Sequence, residues 1–364
     1  MRILHVITSL YTGGAERLMV DLLPLLRNGG QNQVDLLLIN GVDTPFKKKL
    51  EDEGIKIFAL QNTNDVYHPR VISRMRRFFG NEQYDVIHTH NTATQLYVPL
   101  SRLFLSQKGR LVTTEHSTNS RRRSLWWFKP IDKWMYSRYD AIVCIAEKCK
   151  IILEDYIGHQ DTIAIINNGV DVKRFLHPIK DISQQDNFII TMVAALRVEK
   201  DHETLLKAVK LLPNKYRLRI VGGGPREVAD SVKAECHELN LDDRVDFMGL
   251  CMDVPNILEQ SDVVVLSSHW EGLSLSSIEG MASGRPFIAS DVDGLREMVN
   301  GAGVLFPHGD EKELAEKIQW LCEHPDEYRE VAERCQEKAC QYDISVTADK
   351  YLELYEKLLN KSSK

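Results

Sequence analysis

Two carboxylates, Glu271 and Glu279, bracket a glycine and a run of serines in Ser267-Ser268-His269-Trp270-Glu271-Gly272-Leu273-Ser274-Leu275-Ser276-Ser277-Ile278-Glu279. Carboxylates accept hydrogen bonds from hydroxyls, and the backbone N–H groups of a helix start suit a phosphate. An isolated pair at this spacing is more often a capped helix with a solvated glutamate. Gly272, the serine-rich helix start and the following Gly284-Arg285-Pro286 favour a site. The same carboxylates could serve as the acid and nucleophile of a glycosidase, whose carboxyl groups stand about 5 to 9.5 Å apart. A helix amino end between them favours ionised carboxylates and a bound anion over proton donation.

Other stretches offer compatible chemistry. Arg197 and Lys200 follow an apolar run and could grip a diphosphate and stabilise its departure. Gly222, Gly223 and Gly224 form a side-chain-free wall or simply a turn, and the two readings weigh evenly. Gly13 and Gly14, in Thr12-Gly13-Gly14-Ala15-Glu16-Arg17, open a helix and let backbone approach an anion, although the pattern is not a dinucleotide fingerprint. His116 closes Val112-Thr113-Thr114-Glu115-His116, where a neutral imidazole could bond a sugar near its reacting carbon; a satisfied structural histidine is the plainer reading. His88 and His90 alternate along one strand as metal ligands can, but no third ligand stands nearby, so polar packing is expected and no metal is assigned. Asp291-Val292-Asp293 has cation-binding spacing yet fits a loop before a helix.

These residues need a scaffold, and the chain supplies alternating β-rich runs and helical periodicity from end to end. Strands are expected at Ile3–Ile7, Val34–Ile39, Ile57–Leu60, Val86–His88, Leu111–Thr114, Ala141–Ile145 and Ile163–Ile166. A second series runs through Ile189–Ala194, Arg217–Val221, Val245–Phe247, Val263–Leu266, Pro286–Ala289 and Gly303–Leu305. Such alternation predicts α/β architecture with two doubly wound parallel-sheet domains facing across a cleft, each candidate residue lying in a loop after a strand. The polar stretch Lys180–Asn187, with Ile182 its one strongly apolar residue, places a linker within Arg174–Asn187. The expected domains are 1–175 and 176–345, followed by a terminal helix within 346–364.

At 364 residues, 43% hydrophobic and 27% charged, the chain is large enough for two cores and too apolar for disorder. No run suggests a membrane span, the N-terminus reads as a first strand without a signal peptide, and seven cysteines without metal spacing read as reduced cytoplasmic thiols. The net charge of −6 hides a basic segment, Arg121, Arg122, Arg123, Lys129, Lys133 and Arg138, interleaved with Trp126, Trp127, Trp134 and Tyr136. With Arg70, Arg74, Arg76 and Arg77 it suits an anionic surface or acceptor. Segment 119–138 either touches a membrane interface or packs its aromatics on the core; nucleic acid is not expected, because the charge is local.

From Gly13 to Gly284 the ordered set Gly13-Gly14-Ala15-Glu16, Thr114-Glu115-His116, Asn168-Gly169-Val170-Asp171, Arg197 with Lys200, Gly222-Gly223-Gly224-Pro225 and Glu271 onward resembles glycosyltransferase family 4, retaining enzymes of the GT-B fold. The resemblance implies two Rossmann-like domains, the second holding a nucleotide-sugar donor, with the terminal helix packing back on the first. It implies that Arg197 and Lys200 neutralise the diphosphate, that Glu279 binds ribose and that Glu271 binds the sugar. The Ser274–Leu275 amides would hold the distal phosphate, Gly14 would let its loop reach the diphosphate, and His116 would lie beside the anomeric carbon. Gly272-Leu273-Ser274 departs from the family's usual Gly-Phe-Gly or Ser-Phe-Gly.

The expected reaction is metal-independent, cofactor-free transfer of a hexose-type sugar from a UDP- or GDP-sugar to a glycan or polyprenyl-diphosphate-linked acceptor. Surface polysaccharide assembly on the inner face of the plasma membrane is the expected setting. Retention without an obvious nucleophile implies same-face substitution, helped by stabilising charge on the departing diphosphate. A nucleotide-sugar 2-epimerase and a non-catalytic donor-binding subunit are the alternatives.

Overall fold

The computed structural model describes residues 1–11, 13–103, 105, 109–116 and 121–360, apart from the side chains of Arg121 and Ser124. Thr12, Ser117, Asn119 and Ser120 therefore lie outside the described residues. The chain forms two units, Met1–Gly169 with Ile344–Lys364, and Val170–Asp343.

The first unit begins β1 (Arg2–Ile7), α1 (Gly14–Leu26), β2 (Gln33–Asn40), α2 (Pro45–Asp52), β3 (Lys56–Gln61) and α3 (Arg70–Asn81). It continues β4 (Val86–His90), α4 (Thr92–Arg102), β5 (Arg110–Glu115), α5 (Lys129–Tyr136), β6 (Ala141–Cys144), α6 (Glu147–Ile157) and β7 (Ile163–Ile165). All seven strands pair in parallel in the order β3-β2-β1-β4-β5-β6-β7. A parallel sheet is covered on both faces, so its inner strands read as unbroken apolar runs. Leu4, Val6, Ile87 and Leu111 pack beneath Met75 and Phe79 of α3 and Val98 of α4, while Ile3, Ile7, Val86 and Val112 face α1.

The second unit contains β8 (Phe188–Val193), α7 (His202–Leu211), β9 (Tyr216–Val221), α8 (Arg226–Glu238), β10 (Val245–Gly249), α9 (Val254–Glu259) and β11 (Val263–Leu266). There follow α10 (Leu275–Ala282), β12 (Phe287–Ser290), α11 (Leu295–Val299), β13 (Val304–Phe306), α12 (Glu311–Glu323) and α13 (Pro325–Cys340). Its six parallel strands run β10-β9-β8-β11-β12-β13. Both sheets therefore reverse strand order once, between β1 and β4 and between β8 and β11. The loops leaving such a switch point diverge and open a crevice at the strand ends.

Arg174–Asn187 does not separate the units. Val172, Phe175 and Ile182 are buried in the second core. Lys180 pairs with Asp262 at 2.6 Å, Arg285 donates to the Pro178 carbonyl at 3.0 Å, and Gln336 donates to that of His177 at 2.8 Å. A polar sequence reads as a tether here because its partners lie far away in the chain.

After α13, α14 (Ile344–Asn360) returns to the first unit and covers the sheet face that α1 also covers. Its apolar stripe of Ile344, Ala348, Tyr351, Tyr355 and Leu358 is buried at helical spacing. Two of these residues carry a polar tip inward: Tyr355 Oη lies 2.6 Å from His88 Nδ1, and Tyr351 Oη lies 3.1 Å from Thr114 Oγ1. Tyr355→Phe is expected to cost about 1–3 kcal/mol by stranding a buried imidazole nitrogen. Tyr355→Ala should cost about 3–5 kcal/mol by adding a cavity. Thermal unfolding of the two variants and the parent reads the difference; a Tyr355→Phe midpoint equal to that of the parent would mean that the hydroxyl contributes nothing.

Candidate functional site

In the second unit the two loops at the switch point are laced together. The loop after β8 runs extended at Arg197, makes one tight turn over Val198–Lys200, and places Asp201 in the left-handed region at φ 47°. There Asp201 caps α7, accepting from Thr204 N–H at 3.2 Å and from Thr204 Oγ1 at 2.7 Å. The loop after β11 reaches across: Ser267 Oγ donates to the Asp201 carbonyl at 2.8 Å, and His269 N–H donates to that of Glu199 at 2.9 Å.

This lacing brings Lys200 onto Glu271. Their side chains form an ion pair and are only 16% and 10% exposed, and Ser268 Oγ donates to the same carboxylate oxygen at 2.7 Å. Arg197 is 58% exposed and 3.7 Å from Glu199, a loose pair that leaves the guanidinium at the surface. Glu279 is buried in the second turn of α10, and Ser274 stands at the helix N-cap with Leu275 as first helical residue. Trp270 escaped notice in the sequence; it is half exposed beside Glu271 and stacks on His269.

The glycine loop after β9 departs from expectation. A Cβ on Gly222, which sits at φ 150°, would lie 2.0 Å from the Ala194 carbonyl oxygen, and one on Gly224 would lie 2.1 Å from that of Leu196. Both glycines therefore let this loop lie against the Arg197 loop, a structural need met without any ligand. Gly223 meets nothing nearer than Leu250, at 4.0 Å. Asp291 and Asp293 both pair with Arg296, which offsets one of their two charges within the turn before α11.

In the first unit, Gly13 precedes α1 in extended backbone, and a Cβ there would meet the Glu16 carboxylate at 2.2 Å; Gly14 has open space. Asn91, at φ 73°, ends β4 and donates to Glu16 at 3.3 Å. Beneath these loops, His5 of β1 stands opposite His88 of β4, with His90 one pleat further along and His116 just past β5. His5 Nδ1 lies 2.9 Å from His90 Nε2, and His90 Nδ1 lies 2.9 Å from His116 Nε2. Burial lowers the proton affinity of all four rings, to about 3 at His5 and about 4 at His116 and well below the usual range at His88 and His90, so they are neutral near pH 7.

His5, His88 and His90 also each aim one nitrogen within 4.8 Å of the others, a cation-sized cluster that the sequence concealed by supplying its third member from β1. Yet His88 already holds Tyr355 and Thr114 with its two nitrogens, and His90 holds His5 and His116. A cation would have to break those bonds, in a cluster with no carboxylate to balance its charge.

The basic segment is only partly at the surface. Arg122 pairs with buried Asp132 at 2.9 Å, and Arg123 pairs with Glu115 at 2.7 Å, where Gln95 also donates to that carboxylate. These two arginines are turned inward, which an anionic-surface reading of the sequence did not anticipate. Buried Glu115, at the end of the preceding strand β5, and buried Asp132, in the following helix α5, claimed them.

Two family models match the chain in succession, Glycosyltransferase Family 4 over residues 12–174 and Glycosyl transferases group 1 over residues 173–341. The chain belongs to glycosyltransferase family 4. The transferase is 27% identical over 322 residues to the UDP-Gal:alpha-D-GlcNAc-diphosphoundecaprenol alpha-1,3-galactosyltransferase of Escherichia coli, covering 81% of this chain and 80% of that one. It is 24% identical to a PP-undecaprenol alpha-1,4-N-acetyl-D-galactosaminyltransferase of Campylobacter jejuni, with 99% of each covered. The crystal structure of Anabaena HepE in complex with UDP-glucose superposes with a TM-score of 0.85 at 21% identity, covering 98% of this chain and 100% of that one. The fold is thus GT-B, two Rossmann-like halves.

Unfolding releases the four histidines into water, where each titrates near pH 6.5. Because the folded values are lowered, the unfolded chain binds more protons below pH 6.5, and stability falls with acidification. Each ring contributes about 1.4 kcal/mol per pH unit until its folded pKa is reached. Urea midpoints should drop steeply between pH 6.5 and 5, and His5→Asn should flatten that slope; an unchanged slope in the variant would show that His5 titrates normally in the fold.

Proposed function

We propose that the transferase is retaining and metal-independent. It moves a hexose-type sugar from a UDP- or GDP-sugar to a lipid-linked glycan acceptor in surface polysaccharide assembly. The observation that carries this reading is the Lys200–Glu271 pair at the β8/β11 switch point, beside the amino end of α10. A diphosphate arriving there meets the Lys200 ammonium, the nearby Arg197 guanidinium and the Ser274–Leu275 amides. Once Lys200 turns to phosphate, Glu271 accepts from the sugar hydroxyls, and Glu279 receives the ribose. Gly13, Gly14, Gly223 and Gly224 line the donor with backbone, and His116 bonds the sugar near its reacting carbon.

In this reading the bond from the anomeric carbon to the diphosphate oxygen breaks first. Positive charge grows on the sugar ring as negative charge grows on the leaving group. Fixed cations and helix dipoles stabilise that leaving charge without reorganising. The acceptor hydroxyl enters from the face the diphosphate leaves and passes its proton to the departing diphosphate oxygen, so configuration is kept. Asp291 and Asp293 are held by Arg296, which favours side-chain cations over a bound divalent ion as the source of positive charge. The acceptor class follows the lipid-diphosphate acceptors named for the Escherichia coli and Campylobacter jejuni relatives.

Arg197→Ala or Lys200→Ala should lower kcat by about 10²–10³, the usual cost of removing one preorganised charge partner. Donor-turnover assays with EDTA present provide the readout. Retained rates in both variants would remove the assignment, and dependence on added metal would overturn the metal-free reading. Removing Lys200 also strands Glu271, so Lys200→Ala/Glu271→Gln should melt higher than Lys200→Ala alone.

The same reading places the enzyme at the inner membrane face through segment 119–138. Trp126 is 86% exposed and Trp127 50%, with Leu125 and Ile131 also exposed and Lys129 and Lys133 on the same short stretch. Aromatic rings with flanking lysines suit the headgroup region. Co-sedimentation with phosphatidylglycerol vesicles should fall at least fivefold in Trp126→Ala/Trp127→Ala. Equal sedimentation of variant and parent would leave these rings without a membrane role.

A further inference from the structure

Three imidazoles, His5, His90 and His116, form a bonded row whose two internal links use four of six ring nitrogens. Two nitrogens remain, Nε2 of His5 at the inner end and Nδ1 of His116 at the strand-end side; both are buried, and neither has a partner among the described residues. A neutral imidazole carries one proton. Three rings therefore carry three protons, of which two occupy the internal links. One proton is left, and it must sit at one end or the other.

We propose that the row is polarised from His5 toward His116, so that His116 presents Nδ1–H as a hydrogen-bond donor, with His5 and His90 as positioning residues. The inner end decides the direction. His5 is fully buried, stacked on His90 at 5.1 Å between ring centres, with His88 5.0 Å away. His88 offers no acceptor there, its nitrogens being committed to Tyr355 and Thr114. Either direction leaves one end N–H unpartnered; at His5 Nε2 it would be enclosed where no oxygen can reach it, whereas His116 is a partly exposed residue just past β5, where an oxygen can arrive to accept. Nδ1–H of His5 then points to His90 Nε2, Nδ1–H of His90 points to His116 Nε2, and the remaining proton rests on His116 Nδ1.

The ligand such a group takes is an acceptor oxygen, the hydroxyl or ring oxygen of a sugar. A ring in this state donates and does not abstract a proton. This inference rests on the reading that His116 contacts the donor sugar, and it specifies what His116 does there. The row itself is fixed by the sheet: β1, β4 and β5 set the three rings on one face, and Tyr355 and Thr114 hold His88 beside them as a wall.

The test is the tautomer of His116 in the full-length protein labelled with ¹⁵N-histidine, read from two-bond nitrogen–proton correlations at pH 7 without ligand. Nδ1-protonated His116 is expected; Nε2-protonated His116 overturns the proposal. His90→Gln retains both roles, its amide oxygen accepting from His5 and its amide N–H donating to His116, and should keep the tautomer and most of the turnover. His90→Leu breaks the row; it should leave His116 in mixed tautomers and lower kcat between roughly tenfold and a hundredfold with little change in KM. Unchanged kcat and tautomer in His90→Leu would also overturn it. His116→Ala with undiminished turnover would instead remove the sugar-contact reading while leaving the tautomer result standing, so the two failures are distinguishable.

Discussion

The ion pair between Lys200 and Glu271 is the interaction around which the second unit is organised. The two residues are far apart in sequence and arrive on loops that leave neighbouring strands in opposite directions. The Ser267 hydroxyl on Asp201 and the His269 amide on Glu199 also hold those loops together, while the Ser268 hydroxyl, on the same loop as Glu271, supports its carboxylate. Such a pair, mostly withdrawn from water, persists only if the remaining lone pairs are satisfied, and Ser268 does part of that. A carboxylate held against an ammonium keeps both charges aimed at one place before any anion arrives.

The first unit solves a different problem with neutral groups. Its switch point is lined by imidazoles and hydroxyls, all desolvated and all bonded sideways to one another. Burial keeps the rings uncharged, which allows four of them to stand within stacking distance without repulsion. The charged network lies on the other face of β5, where Glu115 receives Arg123, Tyr136 and Gln95. Alternation along one strand thus separates a neutral face from an ionic one, with His116 beyond the last pair.

Much of this was legible in the sequence, because parallel strands buried on both faces leave continuous apolar runs such as Val263–Leu266, and because loops after strands carry the polar chemistry. The positions of Arg197, Lys200 and Glu271 in strand-end loops follow from that alone. What stayed hidden depends on partners that only the fold brings into reach. Ile182 looked like an isolated residue in a polar stretch until the second core enclosed it. Arg122 and Arg123 looked like surface charge until Asp132 and Glu115 met them. His5 lies inside the expected first strand, and only the register of β1 against β4 gives it His88 and His90 as neighbours. The triple glycine signalled close approach correctly, but the approaching group at Gly222 and Gly224 is the chain's own backbone.

The return of α14 to the first unit has an outcome for synthesis. Its Tyr351 and Tyr355 close over Thr114 and His88, yet residues 170–343 must leave the ribosome before either tyrosine exists. Until then the sheet face bearing Ile3, Ile7, Val86 and Val112 has α1 and α2 but not α14 to shelter it, and one imidazole lacks its phenolic partner. The amino-terminal half is therefore held unfinished while the carboxyl-terminal half emerges, and the nascent chain carries a sticky, half-covered surface throughout that interval.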